Sequence, residues 1–207
     1  MLSSLRRMQK PFTMMLAAQA TFVRCASQEC APVVRSTASS GSQVYESERA
    51  VSEYLLFHFG ADSDMMPYKQ GPKEALNFPQ RLAELGTSHA SNRGRALDLG
   101  CSVGGAAFQL SQHFDEVVGV DFSNHFVDAA NKMKTEKIMA YSIMESGTNF
   151  APREATLPAN ARPERVTFAQ GDATDMQASL GTFDLIVASN LLCRLPKPSL
   201  FLDNVAK

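Results

Sequence analysis

Apolar positions along the chain change their period more than once. From Tyr45 onward Ala50, Val51, Tyr54, Leu55 and His58 fall on one face at helical spacing, and Gly60 supplies a stop. Residues 61–74 carry Pro67, Gly71 and Pro72 and read as loop. A short helix follows over Phe78–Leu85, closed by Gly86, and the polar stretch Thr87–Gly94 reads as a linker. The pattern then switches to short apolar runs. Arg95–Leu99, Glu116–Asp121, Arg165–Gln170 and Phe183–Ala188 read as strands, with helices over Ala106–His113 and His125–Lys134. Strands alternating with helices predict an α/β, doubly wound, mostly parallel sheet with right-handed crossovers.

The stretch Thr135–Pro163 interrupts this rhythm. It holds Pro152, Pro158 and Pro163 and a strand-like run Ile138–Ile143, so it reads as an inserted hairpin turning near Ser146–Gly147. Its length suits either a lid over a binding site or a structural flap.

Composition alters the outline at the N-terminus. The 207 residues are 44% hydrophobic and 20% charged, ordinary for a globular chain, and the formal net charge of -1 gives no global attraction to nucleic acid. No apolar run approaches the roughly 18 residues of a membrane-spanning helix. Residues 1–45 hold Arg6, Arg7, Lys10, Arg24 and Arg35 against the single acid Glu29. Residues 1–43 therefore read as a disordered tail whose Ser-, Ala- and Arg-rich composition fits an organelle transit peptide for a mitochondrion or plastid. An unaddressed tail on a cytoplasmic protein is the alternative. The folded domain is expected over 44–207. Cys25, Cys30, Cys101 and Cys193 form no C-x-x-C pair and the four histidines are scattered, so neither a disulfide framework nor a metal centre is expected.

The chemistry concentrates where the first strand ends. Asp98-Leu99-Gly100-Cys101-Ser102-Val103-Gly104-Gly105 joins a strand to a helix. Glycines there let the backbone turn sharply and let a ligand approach closely. A nicotinamide fingerprint, G-x-G-x-x-G, is met at 100 and 105 but not at 102, which is Ser, and the acid at 98 is foreign to it. Two more acids end strands: Asp121, 23 residues after Asp98, and Asp172, beside Ala173. An acid at Asp121 can grip two ribose hydroxyls. The fourth strand runs into Ala188-Ser189-Asn190-Leu191-Leu192-Cys193-Arg194-Leu195-Pro196. Asn190 would lie beyond its carboxyl end, where open parallel sheets bind ligands. Arg194 could pair with a substrate carboxylate. Cys193 reads as a buried apolar residue, since no base partners it.

The D-x-G-x-x-x-G form resembles the first motif of S-adenosylmethionine-dependent methyltransferases, with Ser102 standing at its middle glycine. More narrowly, Tyr45–Ala50, Glu53–His58, Ala96–Gly104, Val117–Ser123, Gln170–Ala173 and Phe183–Pro196 resemble the methyltransferase module of ovothiol synthesis. That module is the C-terminal part of the bifunctional 5-histidylcysteine sulfoxide synthase, whose iron-binding half is absent here. The resemblance implies a Rossmann-like methyltransferase fold with strand order 3-2-1-4. It implies S-adenosylmethionine as cofactor and a small-molecule substrate, a mercaptohistidine methylated on a ring nitrogen, with neither nucleic acid nor membrane as partner. Asp98, Gly100, Ser102 and Gly104 would hold the cofactor's amino-acid end, Asp121 its ribose, and Phe122, Asp172 and Ala173 its adenine. Asn190 would lie near the methyl group, and Arg194 would position substrate. The fold usually has seven strands, so a chain with four is expected to be truncated, leaving an apolar edge at Leu185, Ile186 and Val187 for a partner to cover. Another small-molecule methyltransferase, a non-catalytic cofactor-binding fragment and a nicotinamide enzyme are the competing readings.

Overall fold

The computed structural model describes residues 42–206. The transit-peptide reading, Cys25 and Cys30 lie outside these residues. A short 3-10 turn at Ser42–Tyr45 leads into α1 (Glu48–Phe59), capped by Ser47, whose hydroxyl accepts from the Ala50 amide at 3.2 Å. The expected loop at 61–74 contains a turn of helix, α2 (Asp62–Met65), and 3-10 helix over Lys73–Ala75. Helix α3 runs from Phe78 to His89, so Gly86 does not end it. A Cβ at Gly86 would stand 3.1 Å from Leu185 Cδ2 and 3.2 Å from Val187 Cγ1. The glycine is there to let the helix lie against a strand distant in sequence.

Strand β1 (Arg95–Leu99) leads through the glycine turn into α4 (Gly105–Leu110), then β2 (Glu116–Asp121) and α5 (Asn124–Glu136). The insertion is an antiparallel hairpin, β3 (Ile138–Ser146) and β4 (Asn149–Thr156), turning at Gly147. Strand β5 (Val166–Gln170), strand β6 (Leu185–Ala188) and α6 (Pro198–Val205) follow. The main sheet is parallel in the order β5-β2-β1-β6, which is the expected 3-2-1-4 when its strands are counted alone.

Both faces of the sheet are covered, as a parallel sheet requires. On one face α1, α3, α4 and α5 bury Leu55, Ala83, Phe108 and Met133 against Ala96, Val117, Val166 and Leu185. On the other, Phe201 of α6 packs with Leu97, Leu99, Val118 and Val120. The expected apolar edge is different in detail. Leu185 and Val187 are buried, and Ile186 packs on the second core. What stays unpaired at β6 is its outer backbone, as at β5 on the opposite edge, among the described residues. The hairpin is built into the core through Tyr141 and Ala155 and tied to α2 by Arg153 Nε donating to Asp64 Oδ2 at 2.9 Å. It contributes no residue to the cavity beyond the strand ends.

Candidate functional site

The register brings the carboxyl ends of all four parallel strands to one level. Leu99 lies beside Val120 and Ala188, and Asp121 lies beside Gln170. Beyond that level a cavity of about 680 Å³ opens, within the range of small-molecule sites.

The glycine turn is fastened to the end of β2. The Gly100 and Cys101 amides donate to the Val120 carbonyl at 2.8 and 3.2 Å, and the Ser102 amide donates to Asp121 Oδ2 at 2.7 Å. Gly100, Ser102 and Gly104 all have left-handed backbone, with φ of 72°, 51° and 88°. Ser102 therefore adopts the conformation that favours glycine, which is strain stored at a turn that other contacts determine. Asn190, beyond β6, is left-handed too, with φ of 54°. Its neighbour Leu191 lies across the turn, with Cδ1 3.3 Å from where a Cβ on Gly100 would be.

Nine of the predicted positions line this one cavity: Asp98, Gly100, Ser102, Asp121, Phe122, Asp172, Ala173, Asn190 and Arg194. Gly104 does not. A Cβ there would strike the Phe168 ring at 2.6 Å, so Gly104 shapes the turn from behind. Asp98 is 3% exposed, and its Oδ2 has no hydrogen-bond partner, as is also true of the buried Ser102 hydroxyl. Burial, with the Asp121 charge beside it, pushes the Asp98 carboxyl up to about 7, against a backbone hydrogen bond from Ala107. Burial also raises Asp121, which the Ser123, Ser102 and Phe122 amides oppose. Asp172 Oδ1 accepts from both the Thr174 amide, at 2.8 Å, and the Thr174 hydroxyl, at 2.7 Å, so it also caps its own turn. Arg194 is exposed in a 3-10 turn, Leu192–Arg194.

Both described cysteines depart from a nucleophile. Cys101 is buried, and burial, then Asp121 and Asp98, holds its thiol well above the usual range. Cys193 is exposed, contrary to the buried position expected for a cysteine without a base partner, because the 3-10 turn after Asn190 carries it outward.

Part of the wall escaped the sequence. Tyr45, Tyr54, Phe57, His58 and Phe126 also line the cavity. Tyr45, Tyr54 and Phe126 form a triangle of rings, with Tyr54 6.0 Å from Tyr45 and 4.6 Å from Phe126, and Tyr45 5.7 Å from Phe126, centroid to centroid. Only the shared face of Tyr54 and His58 on α1 hinted at this, and it read equally well as core.

A family profile described as "Methyltransferase domain" matches residues 97–207, more than half of the 207-residue chain. The chain belongs to the methyltransferase-domain family. That assignment covers the glycine turn, β2, β5 and β6, and it leaves α1 with Tyr45, Tyr54, Phe57 and His58 outside. Among solved structures, magnesium protoporphyrin IX methyltransferase from Synechocystis PCC 6803, with bound SAH, is 15% identical. The match covers 79% of this chain and 64% of that one, with a TM-score of 0.48. A TehB-like SAM-dependent methyltransferase from Corynebacterium glutamicum ATCC 13032 is 22% identical over 61% of this chain and 53% of that one, with a TM-score of 0.40. YcgJ from Bacillus subtilis is 23% identical over 46% and 32%, with a TM-score of 0.32. This methyltransferase-domain chain thus spans from 32% to 64% of the length of these structures. No curated protein matches it.

S-adenosylmethionine is the cofactor that membership of this family implies, and the residues present fit it. The unpartnered, buried Asp98 oxygen is an acceptor for an ammonium. The left-handed turn at Gly100 lets a ligand lie against backbone. No helix among the described residues is long and apolar enough to cross a membrane, and no group of side chains there could hold a metal ion.

Proposed function

We propose that residues 44–207 form an S-adenosylmethionine-dependent methyltransferase unit acting on a small molecule, and that the acceptor is an imidazole nitrogen of a mercaptohistidine. One observation carries the reading. A single cavity joins the buried, unpartnered Asp98 carboxylate at the glycine turn to a wall of aromatic rings. The first suits the charged end of the cofactor. The second suits a flat heteroaromatic acceptor. The resemblance of Tyr45–His58 to the ovothiol module supports the narrower substrate.

Asp98 receives the cofactor's ammonium, and the turn through Gly100, Ser102 and Gly104 takes the amino-acid end. Asp121 accepts from the ribose hydroxyls on the lone pairs that its bonds from the Ser102 and Ser123 amides leave free. Phe122, Asp172 and Ala173 bound the adenine. Asn190 lies toward the reacting methyl, and Arg194 pairs with the carboxylate of the substrate. The cofactor supplies a methyl group already activated on a sulfonium. That methyl would be open to in-line displacement by an unprotonated imidazole nitrogen, with the C–S electron pair returning to sulfur and the ring proton passing to water. Tyr45, Tyr54 and Phe126 hold the ring in place and exclude water, so positioning supplies most of the rate gain. No general base is required for a nitrogen already unprotonated at working pH.

Incubation of the full chain with S-adenosylmethionine and mercaptohistidine, read by mass spectrometry, tests the proposal. A product heavier by one methyl group supports it. Methylation of another small molecule under conditions where mercaptohistidine gains none refutes the substrate. Cofactor binding with no turnover on any acceptor refutes catalysis.

A further inference from the structure

His58 stands in the cavity wall with no part in the reaction above. Its Nδ1 accepts from the Gly105 amide at 3.0 Å, at the first residue of α4. A ring nitrogen that accepts from an amide carries no proton, so the neutral imidazole holds its proton on Nε2. Burial favours the same neutral form, lowering the group to about 4. The approach is close: a Cβ on Gly105 would lie 2.5 Å from Nδ1. Only glycine at 105 lets the ring sit there. Nε2 has no hydrogen-bond partner among the described residues, while the ring lines the cavity.

Asp98 ends near the other side of the same glycine turn, in β1, and lines the same cavity as His58. A carboxylate acceptor and an N–H donor therefore bracket the turn between β1 and α4. An amino-acid moiety carries its ammonium and its carboxylate on one carbon and needs such a pair. Arg194, the one lysine or arginine in the cavity wall, lies instead on the exposed loop after β6.

We propose that His58 Nε2–H donates to the carboxylate of the amino-acid moiety whose ammonium Asp98 receives, making α1 part of the cofactor site. This inference rests on the cofactor reading above and extends it to a helix outside the family match. His58 then acts as a fixed neutral donor and not as a base.

Calorimetric titration of the full chain with S-adenosylhomocysteine and with its decarboxylated analogue tests this in wild type, His58→Asn and His58→Gln. Asn places its carbonyl near the Nδ1 position and keeps an acceptor for Gly105, but it has no distal donor. Gln carries an amide at the Nε2 position. His58→Asn should bind S-adenosylhomocysteine about tenfold more weakly than wild type, or worse, and His58→Gln should lose less. All three proteins should bind the decarboxylated analogue alike. Equal S-adenosylhomocysteine affinity in His58→Asn and wild type overturns the inference. So does an equal loss for both ligands, which marks a purely structural role. Failure of the wild type to bind either ligand instead refutes the cofactor reading, and the inference with it.

Discussion

Asp98 trades stability for binding, and the exchange can be measured. Its folded-state carboxyl titrates at about 7 instead of 3.8, chiefly because it is buried. Between these values the folded protein holds a proton that the unfolded chain has released, so stability falls as pH rises through the window. Three pH units at about 1.36 kcal/mol each amount to about 4 kcal/mol, fully lost above pH 7. Asp98→Asn keeps the shape but never ionises. Its advantage over wild type should widen by roughly 2–3 kcal/mol from pH 5 to pH 8 in urea unfolding without ligand. The same variant should gain no thermal stability from S-adenosylhomocysteine, whereas the wild type should. A gap that does not change with pH, or a wild type more stable than Asp98→Asn at pH 8, refutes the reasoning.

Three further outcomes follow from named contacts. Ammonium binding needs the ionised Asp98 carboxylate, so S-adenosylhomocysteine affinity should fall about tenfold per unit as pH drops below about 7, by calorimetry; a flat profile from pH 8 to 6 would contradict this. Gly86→Val forces side-chain bulk onto Leu185 and Val187 and should cost about 1–3 kcal/mol in denaturant unfolding. Glu46 accepts from the Asn124 and His125 amides at 2.9 and 3.3 Å at the start of α5, so Glu46→Ala should cost about 1 kcal/mol of thermal stability, as loss of a helix cap does.

Much of the fold was legible because its determinants are local. The four parallel strands are continuous apolar runs, and the turn after β1 carries its own glycines. The strand-end acids stand at fixed offsets from those runs, and register carried Asp98, Asp121 and Asp172 into one cavity. What stayed hidden depends on partners far along the chain. Gly86 reads as a helix stop until Leu185 and Val187, about a hundred residues later, are seen against it. His58 reads as one more residue on an amphipathic face, because the amide it binds lies 47 positions away. Cys193 reads as buried for want of a base partner, yet a single 3-10 turn after the left-handed Asn190 turns it outward. Ser102 read as a departure from a glycine pattern, whereas its backbone keeps the glycine conformation with φ of 51°.

The most direct test is a calorimetric comparison of wild type and Asp121→Ala at about pH 8, with S-adenosylhomocysteine and NAD titrated separately. Convergence of three acids on one S-adenosyl ligand, Asp98 at its ammonium and Asp121 and Asp172 at its nucleoside, predicts saturable one-to-one binding of S-adenosylhomocysteine. It also predicts affinity at least about tenfold weaker in Asp121→Ala. NAD should bind more weakly than S-adenosylhomocysteine or not at all. Undiminished affinity in Asp121→Ala, or a preference for NAD, would contradict the assignment of this cavity.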